Sequence, residues 1–499
     1  MSAVPFDPFA RTLFGYPRAL ATLFLTEMWE RFSFYGMRAL LVLFMIAPES
    51  EGGMGYGAAQ AAGVAAIYGA LVYLTPLPGG WIADRVLGQR RTVLIGGIVI
   101  AAGHIVLAIM GGAGLYLSLF LIIVGTGLLK PNLTAMVGGI YEGHDEQRDA
   151  GFSIYYMGIN LGALLAPLVC GYLGQEVSWE LGFGVAAVGM IVALVQYVLG
   201  ARGLGPIGLV PENPLPPALR RRYGLLGLAG FAAFVALVVL ELAVLHLSAD
   251  SIELGITLLI VAIPIYWFAR TLRTERRVDP DQHHRVIVLA VLFVAAAVFW
   301  LVSDQAGSTI TIFAQDDTRH EILGAHFPSS WFQTVNPLLI IVLAPVMAAL
   351  WTALGARGRQ PGTATKFGGS LILVFVSMVV MVLAAQSAET ARVAAMWLVA
   401  VFAIQTVAEL MLSPVGLSAA SRLAPPDRVS QTIGVWFLAT SVGDAVGGRL
   451  AQYYDEWGQV TYFAVLGAIA LVAGIAMLAI ARPLGRLLRD DERAAATRP

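Results

Sequence analysis

The sequence predicts an all-α polytopic membrane protein: twelve core transmembrane helices in two six-helix bundles, with an inserted two-helix hairpin, fourteen spans in all. Three observations carry that prediction. Of 499 residues, 58% are hydrophobic and only 13% are charged, and the mean hydropathy is +0.77. Soluble domains average roughly 45–50% apolar and about 25% charged. Fourteen apolar runs reach the about 20 residues that a helix needs to cross a hydrocarbon core of roughly 30 Å. Finally, the basic residues crowd onto one side of those runs.

The runs lie near 18–46, 58–83, 92–112, 115–137, 151–171, 180–200, 223–246, 252–272, 286–314, 331–354, 366–386, 395–420, 428–452 and 462–481. They are long and continuous and lack the alternation of barrel strands. With both ends on one side, the Lys and Arg residues fall in that side's loops and tails. Only Arg319 and Arg392 lie opposite, and Arg31, Arg38, Lys130 and Arg449 lie within spans. The positive-inside rule then places both termini in the cytoplasm of an inner-membrane protein. The N-terminus, MSAVPFDPFARTLFGYPR, lacks the apolar core and cleavage site of a signal peptide, so it is expected to be retained.

The chain divides into residues 1–200, 201–285 and 286–499. The linker 201–222 is rich in Gly and Pro, and the linker 273–285 is basic; the helical pair between them carries few polar residues at depth beyond Glu241 and His246. Removing that pair leaves six plus six helices. Between the second and third spans runs GGWIADRVLGQRRT, with Gly80, Asp84, Arg85, Gly88, Arg90 and Arg91, echoed weakly by GARGR at 355–359. The motif resembles the cytoplasmic-loop signature of the major facilitator superfamily. Its acid can latch one conformation through neighbouring helix ends; a plain positive-inside loop is the other reading.

Charge at membrane depth sits on four helices: Glu27, Glu30, Arg31 and Arg38 on the first core helix, Lys130 on the fourth, Asp304 on the seventh and Glu409 on the tenth. These open successive three-helix units, and transporter repeats bring such helices to a midplane site. Glu27, Glu30 and Arg31 share a face at i, i+3 and i+4, and Arg38 follows two turns after Arg31. Each isolated charge costs at least about 2.5–3.5 kcal/mol at bilayer depth, so the stripe must be paired or wetted by a cavity. A purely structural ion-pair network is the alternative. Asp444 and Arg449 on the eleventh helix read as a local pair nearer the extracellular end. His104 reads as a satisfied packing histidine. Cys170 stands alone in an apolar run, which leaves no internal disulfide or CxxC site. The loop groups His283-His284 and Asp316-Asp317…His320-Glu321 read as solvated loop chemistry. No GxSxG, P-loop or HExxH occurs, so enzyme chemistry has no foothold. Nothing calls for a cofactor, a metal or a nucleic acid; the expected partners are the lipid bilayer and a small solute.

EMWERFSFYGMR (27–38) resembles the first-helix ExxER signature of the proton-dependent oligopeptide transporters, a branch of the major facilitator superfamily. Further motifs resemble that family in order: GTGLLKPN (125–132), FSIYYMGINLGALLAP (152–167), FWLVSDQAGS (299–308), WFQTVNPL (331–338), AELMLSPVGLS (408–418) and QTIGVWFLATS (431–441). The resemblance implies proton-driven uptake of di- and tripeptides, and of peptide-like drugs; nothing in the sequence demands more than a monomer. A short peptide is a zwitterion of fixed span with variable side chains. Arg38 and Lys130 match the positions for its carboxylate, Arg as a bidentate fork and Lys as a point charge. Glu409 matches the acid for the amine, with Asn160 and Asn336 at that pole, and Tyr156 and Ser413 complete the implied site. Tyr35, Tyr68, Trp300 and Trp436 are the implied walls, each also open to reading as ordinary core. Glu27, Glu30, Arg31, Lys130 and Glu409 are implied in proton coupling, because burial and a nearby cation push a carboxyl's proton affinity in opposite directions. Asp304 facing Arg38 is the implied gate.

The chain departs from the family pattern at three places. Phe34 stands where members often carry Tyr, Ser303-Asp304 where some carry two acids, and the second-helix histidine of animal members is absent around Ala66. Two other readings stay open: a related symporter for another anion or amphiphile such as nitrate, and a channel or sensor.

Overall fold

The computed structural model describes residues 12–13, 16–141, 145–211, 213–216, 219, 222, 225, 249–322, 324–425 and 428–496. The long helices are numbered here in chain order. They are α1 Arg18–Ile46, α2 Ala58–Leu74, α3 Gln89–Met110, α4 Leu115–Ile140, α5 Asp145–Ala166, α6 Trp179–Gly200 and α7 Ala249–Val278. Then come α8 Pro280–Ser303, α9 Val335–Ala356, α10 Thr363–Ala388, α11 Met396–Leu423, α12 Val429–Ala451 and α13 Gln459–Ala496. Two-residue strand pairs, Thr12–Leu13 with Tyr16–Pro17 and Glu321–Ile322 with Ala325–His326, lie outside this helical body. The first hairpin span, with Glu241 and His246, lies outside the described residues.

Ten helical stretches among the described residues are long and apolar enough to cross a membrane. α1 is not one of them: although 29 residues long, it is interrupted by Glu27, Glu30, Arg31 and Arg38. Residues such as Ile109, Leu199, Ile265 and Val472 stand exposed on the outside, as side chains bathed by lipid must.

Local chemistry sets where helices stop and bend. Pro48 holds Ala47 extended, at ψ 141°, and ends α1. Asp279 caps α8 by accepting from the backbone N–H groups of Asp281 and Gln282 at 3.0 and 3.3 Å, with Pro280 in the first turn. Three helices carry an irregularity close to the charged residues, two of them an internal proline within a continuous helix. α4 contains Pro131 directly after Lys130, which leaves the Gly127 carbonyl without its helical donor. α11 contains Pro414 one turn past Glu409. α8 passes into a tight 3-10 turn, Asp304–Gly307, before resuming as Thr309–Asp316.

α1 packs on α5 and α6, α3 on α4 and α6, and α10 on α11 and α13. α2 packs on α12 and α5 on α9, joining the early helices to the late ones. α7, from the inserted segment, lies along α2, α8 and α12.

Candidate functional site

The charged stripe of α1 folds into a compact ion cluster. Arg31 donates through Nε and Nη2 to the two carboxylate oxygens of Glu30, at 2.5 and 2.7 Å. Its Nε also lies 3.3 Å from Glu27 Oε1, and its guanidinium sits 4.9 Å from the Phe34 ring centre. All three charged residues are buried. The Tyr155 hydroxyl of α5 donates to Glu27 Oε2 at 2.6 Å. α5 can come this close because residue 162 is glycine; a Cβ there would lie 3.0 Å from Arg31 Cβ.

Across from the cluster, Lys130 Nζ lies 4.4 Å from the Tyr73 ring centre, a cation–π contact. Arg38 Nη2 donates to Asp304 Oδ1 at 2.8 Å. Gly307 in the 3-10 turn makes room, since a Cβ there would stand 2.7 Å from Arg38 Nε. On the far side, Asn336 Nδ2 donates to Glu409 Oε2 at 2.9 Å and to Thr406 Oγ1 at 3.1 Å, which fixes the Glu409 carboxylate.

One cavity of about 520 Å³ collects these groups. Of the residues read from sequence, Glu27, Arg31, Tyr35, Arg38, Lys130, Tyr156, Asn160, Trp300, Asp304, Asn336, Glu409 and Ser413 line it. Its lining carries the cations Arg31, Arg38 and Lys130 on early helices and, on a late helix, the acid Glu409 held by the Asn336 amide. Aromatic and apolar side chains, Phe152, Ile159, Trp300 and Phe402 among them, lie between. Such a chamber can hold a small dipolar molecule by both ends while tolerating variation in the middle.

Three expected site residues lie elsewhere. Glu30 is not on the cavity wall, because both its oxygens are taken by Arg31. Tyr68 faces a separate small pocket with Phe34, Asp304 and Asp444. The residue of α2 on the main cavity is Tyr73, five positions on and about 140° around the helix. Trp436 is buried against Phe367 and the bare backbone of Gly416, and its neighbour Phe437 lines the chamber instead.

Two further expectations change. The charged neighbours of Asp444 are Asp304 and Arg38, and it stands within hydrogen-bonding reach of Asp304, so it belongs with the Arg38–Asp304 pair and not to a local pair with Arg449. That pair therefore has a second carboxylate beside it, supplied by another helix. His104 is fully buried, yet neither ring nitrogen has a hydrogen-bond partner among the described residues; it is not satisfied. Sequence reasoning also missed Tyr155 and Gln405, which line the cavity. Tyr155 was visible inside the 152–167 motif, one turn before Ile159 and Asn160.

The loop motif closes through its basic end. Gly88 adopts φ +80°, a left-handed conformation that favours glycine, and Gly358 in the GARGR echo has φ +64°. Arg90 donates from Nε to the Ile207 carbonyl at 2.7 Å and from Nη2 to the Gly205 carbonyl. Its backbone N–H donates to Gly208 O at 2.9 Å. Asp84, the expected latch, has an exposed side chain, and its carbonyl accepts from the Asn213 N–H at 3.0 Å. Gly80 faces open space, and Arg85 donates weakly to Asn213 O at 3.5 Å. The loop is thus tied to the linker after α6 by backbone carbonyls; Arg91 is exposed beside it.

The sequence signature described as "PTR2: POT family" matches residues 90–472. The chain belongs to the POT family. A "Di-/tripeptide transporter" of Lactococcus lactis subsp. cremoris is 40% identical over 96% of this chain and 98% of its own length. The "Peptide transporter YePEPT" of Yersinia enterocolitica is 36% identical over 97% of this chain and 98% of its own. A solved POT peptide transporter in complex with sulfate superposes with a TM-score of 0.91, at 42% identity, covering 96% of this chain and 97% of the other. A POT family transporter in complex with a thioalcohol-conjugated peptide superposes with the same score at 34% identity, covering 96% and 99%. This POT chain is a multi-pass membrane protein of a transporter family, and the relatives named above are transporters and not enzymes.

Proposed function

We propose that this POT-family chain is a proton-coupled symporter that imports di- and tripeptides across the cytoplasmic membrane by alternating access. One observation carries the reading: Arg38, Lys130 and Glu409 face a single chamber between early and late helices. Arg38 and Lys130 take the peptide carboxylate, and Glu409, held by Asn336, takes the amine beside Asn160. A simple anion such as nitrate has no use for that acid pole. The names of the relatives support the same substrate class.

The architecture that serves this is the major facilitator fold: twelve core helices in two bundles, 1–200 and 286–499, with the hairpin and linkers 201–285 between them and both termini cytoplasmic. The protein acts as a monomer. Gln175 Nε2 donates to Gln315 Oε1 and Ser329 Oγ at 3.1 and 2.9 Å, and Ser330 N donates back to Gln175 Oε1 at 3.0 Å. With the Arg38–Asp304 pair, these contacts tie early helices to late ones at the end opposite the basic loops. Protonation of Glu27 or Glu30 frees Arg31, and the loss of that pairing lets the helices rearrange. Differential pairing between two states is what converts a proton gradient into motion.

The test is uptake into proteoliposomes. A dipeptide should accumulate above its outside concentration when an inward proton gradient is imposed, and should only equilibrate without one. A channel would equilibrate in both cases. Glu30→Gln should lose gradient-driven accumulation far more than peptide exchange across the membrane; equal loss of both would reject the coupling role.

A further inference from the structure

We propose that Asp444 and Asp304 form a carboxyl–carboxylate pair that binds one proton, making a second proton site beside Arg38 and apart from the Glu27–Glu30–Arg31 cluster. This rests on the symporter reading and adds a residue and a proton to it.

The argument starts from charge. Around Arg31, two acids meet two cations, Arg31 and Lys130, so that group is neutral with every member ionised. Around Arg38, one cation meets two acids. Asp304 Oδ1 takes the Arg38 donor at 2.8 Å, while Asp304 Oδ2 is buried with no hydrogen-bond donor among the described residues. Asp444 is only 6% exposed and stands within hydrogen-bonding reach of Asp304. Two ionised carboxylates cannot hydrogen-bond each other, since each only accepts. One shared proton supplies the missing donor and makes the trio neutral: Arg38 positive, one carboxylate negative, one carboxyl uncharged. Aspartic-protease pairs use the same logic.

The surroundings are built for such a proton. Arg38, Tyr68, Asp304 and Asp444 line a small pocket of about 30 Å³, room for one or two waters. The Tyr68 hydroxyl, on a residue only 3% exposed, has no partner among the described residues. Gly69 leaves space for the second acid, since a Cβ there would lie 2.7 Å from Asp444 Oδ2. The other charged or titratable groups facing Asp444 are few. Tyr73 of α2 faces both acids. Glu253 of α7 reaches the same helix one turn further on, at Gly448, where Gln452 donates to it at 2.8 Å. Glu409 of α11 faces Asp304 from across the main cavity. None of these adds a cation. Arg449 on α12 lies beyond, more than one turn past Asp444.

The step moves a proton and nothing else. A proton from the side opposite the basic loops adds to one oxygen of the pair and is held between the two acids while Arg38 stays bound to Asp304. When Arg38 turns to a peptide carboxylate, Asp304 loses its cation and keeps the proton. The proton leaves towards the cytoplasm when Arg38 returns, at the end of the cycle.

Two measurements decide it. Infrared difference spectroscopy of the purified protein across a pH titration should show a protonated carboxylic-acid band that disappears in Asp444→Asn and in Asp304→Asn. In proteoliposomes, the reversal potential should give one proton fewer per peptide for Asp444→Asn than for the native chain. A band that persists in Asp444→Asn, or an unchanged proton count, overturns the proposal. If Asp444→Asn does not transport, the infrared band alone decides, provided the variant elutes as a folded monodisperse species. Failure of the native chain to move peptide would reject the symporter reading and leave the band as an independent answer on the pair.

Discussion

The two charge groups on α1 differ in one respect that organises the rest of the molecule. The group around Arg31 is saturated: Glu30 takes two donors from one guanidinium, Glu27 takes Arg31 and Tyr155, and the acids and cations balance. The group around Arg38 is unsaturated. It has an acid too many, a buried oxygen without a donor and a tyrosine hydroxyl facing a small pocket. The same helix, two turns apart, therefore carries one site that is complete as it stands and one that waits for something to be added. In a transporter the complete site holds a state, and the incomplete one responds to what enters.

The sharpest way to break that contrast is to remove the two arginines in turn. Arg31→Gln leaves two fully buried carboxylates without their cation, and breaking a buried pair costs about 3–5 kcal/mol. Arg38→Gln removes one charge-assisted hydrogen bond from a partly exposed pair, 21% and 16% accessible, worth about 1.5–3 kcal/mol. Thermal unfolding in detergent should rank Arg31→Gln well below Arg38→Gln. Adding Glu30→Gln to Arg31→Gln should recover part of the loss, because fewer charges are left stranded. Equal destabilisation by the two arginine variants would erase the distinction.

How much of this was legible follows from what sequence spacing can carry. The i, i+3, i+4 stripe of α1 needs only helical geometry, and the positions of Lys130, Asp304 and Glu409 on successive three-helix units needed only counting. All of them but Glu30 meet at one chamber. Rotation about a helix axis is harder to read when the helix is apolar all round. Tyr68 and Tyr73 are both plausible walls until packing against α12 turns one into the chamber and the other behind Arg38. Trp436 and Phe437 differ by one position, about 100°, and packing against Phe367 takes the tryptophan out. Asp444 was visible as a buried acid, but its partner lies on α8, far away in sequence, and nearness along the chain pointed to Arg449 instead. The loop motif was legible as a turn, while its tie to the carbonyls of 205–208 depends on where the linker runs.

A second, smaller effect tests the far pole against both α1 groups. Glu409 is held by Asn336 and has no ion-pair partner among the described residues, and in the proposed function it receives the incoming amine. Glu409→Gln should weaken dipeptide binding by about 10–100-fold, the loss of about 1.5–3 kcal/mol expected for a hydrogen bond to a charged group. A dipeptide whose amine is acetylated should bind the native chain and the variant alike, measured by calorimetry or competition. If the acetylated peptide is equally sensitive to the substitution, Glu409 acts on the fold and not on the amine.

The smallest effect separates the two groups at single hydroxyls. Tyr155→Phe removes the donor that lies 2.6 Å from Glu27 Oε2, so the saturated group loses a bond to a charged acceptor and about 1.5–3 kcal/mol of stability. Tyr68→Phe removes a hydroxyl with no protein partner among the described residues, while its ring keeps its stack against Phe34 at 6.1 Å. Its unfolding free energy should change by about 0.5 kcal/mol or less, since no protein hydrogen bond to that hydroxyl is lost. A loss at Tyr68 as large as that at Tyr155 would mean that the pocket beside Asp304 and Asp444 is as tightly bonded as the Arg31 group, and the contrast between a complete and an incomplete site would not survive.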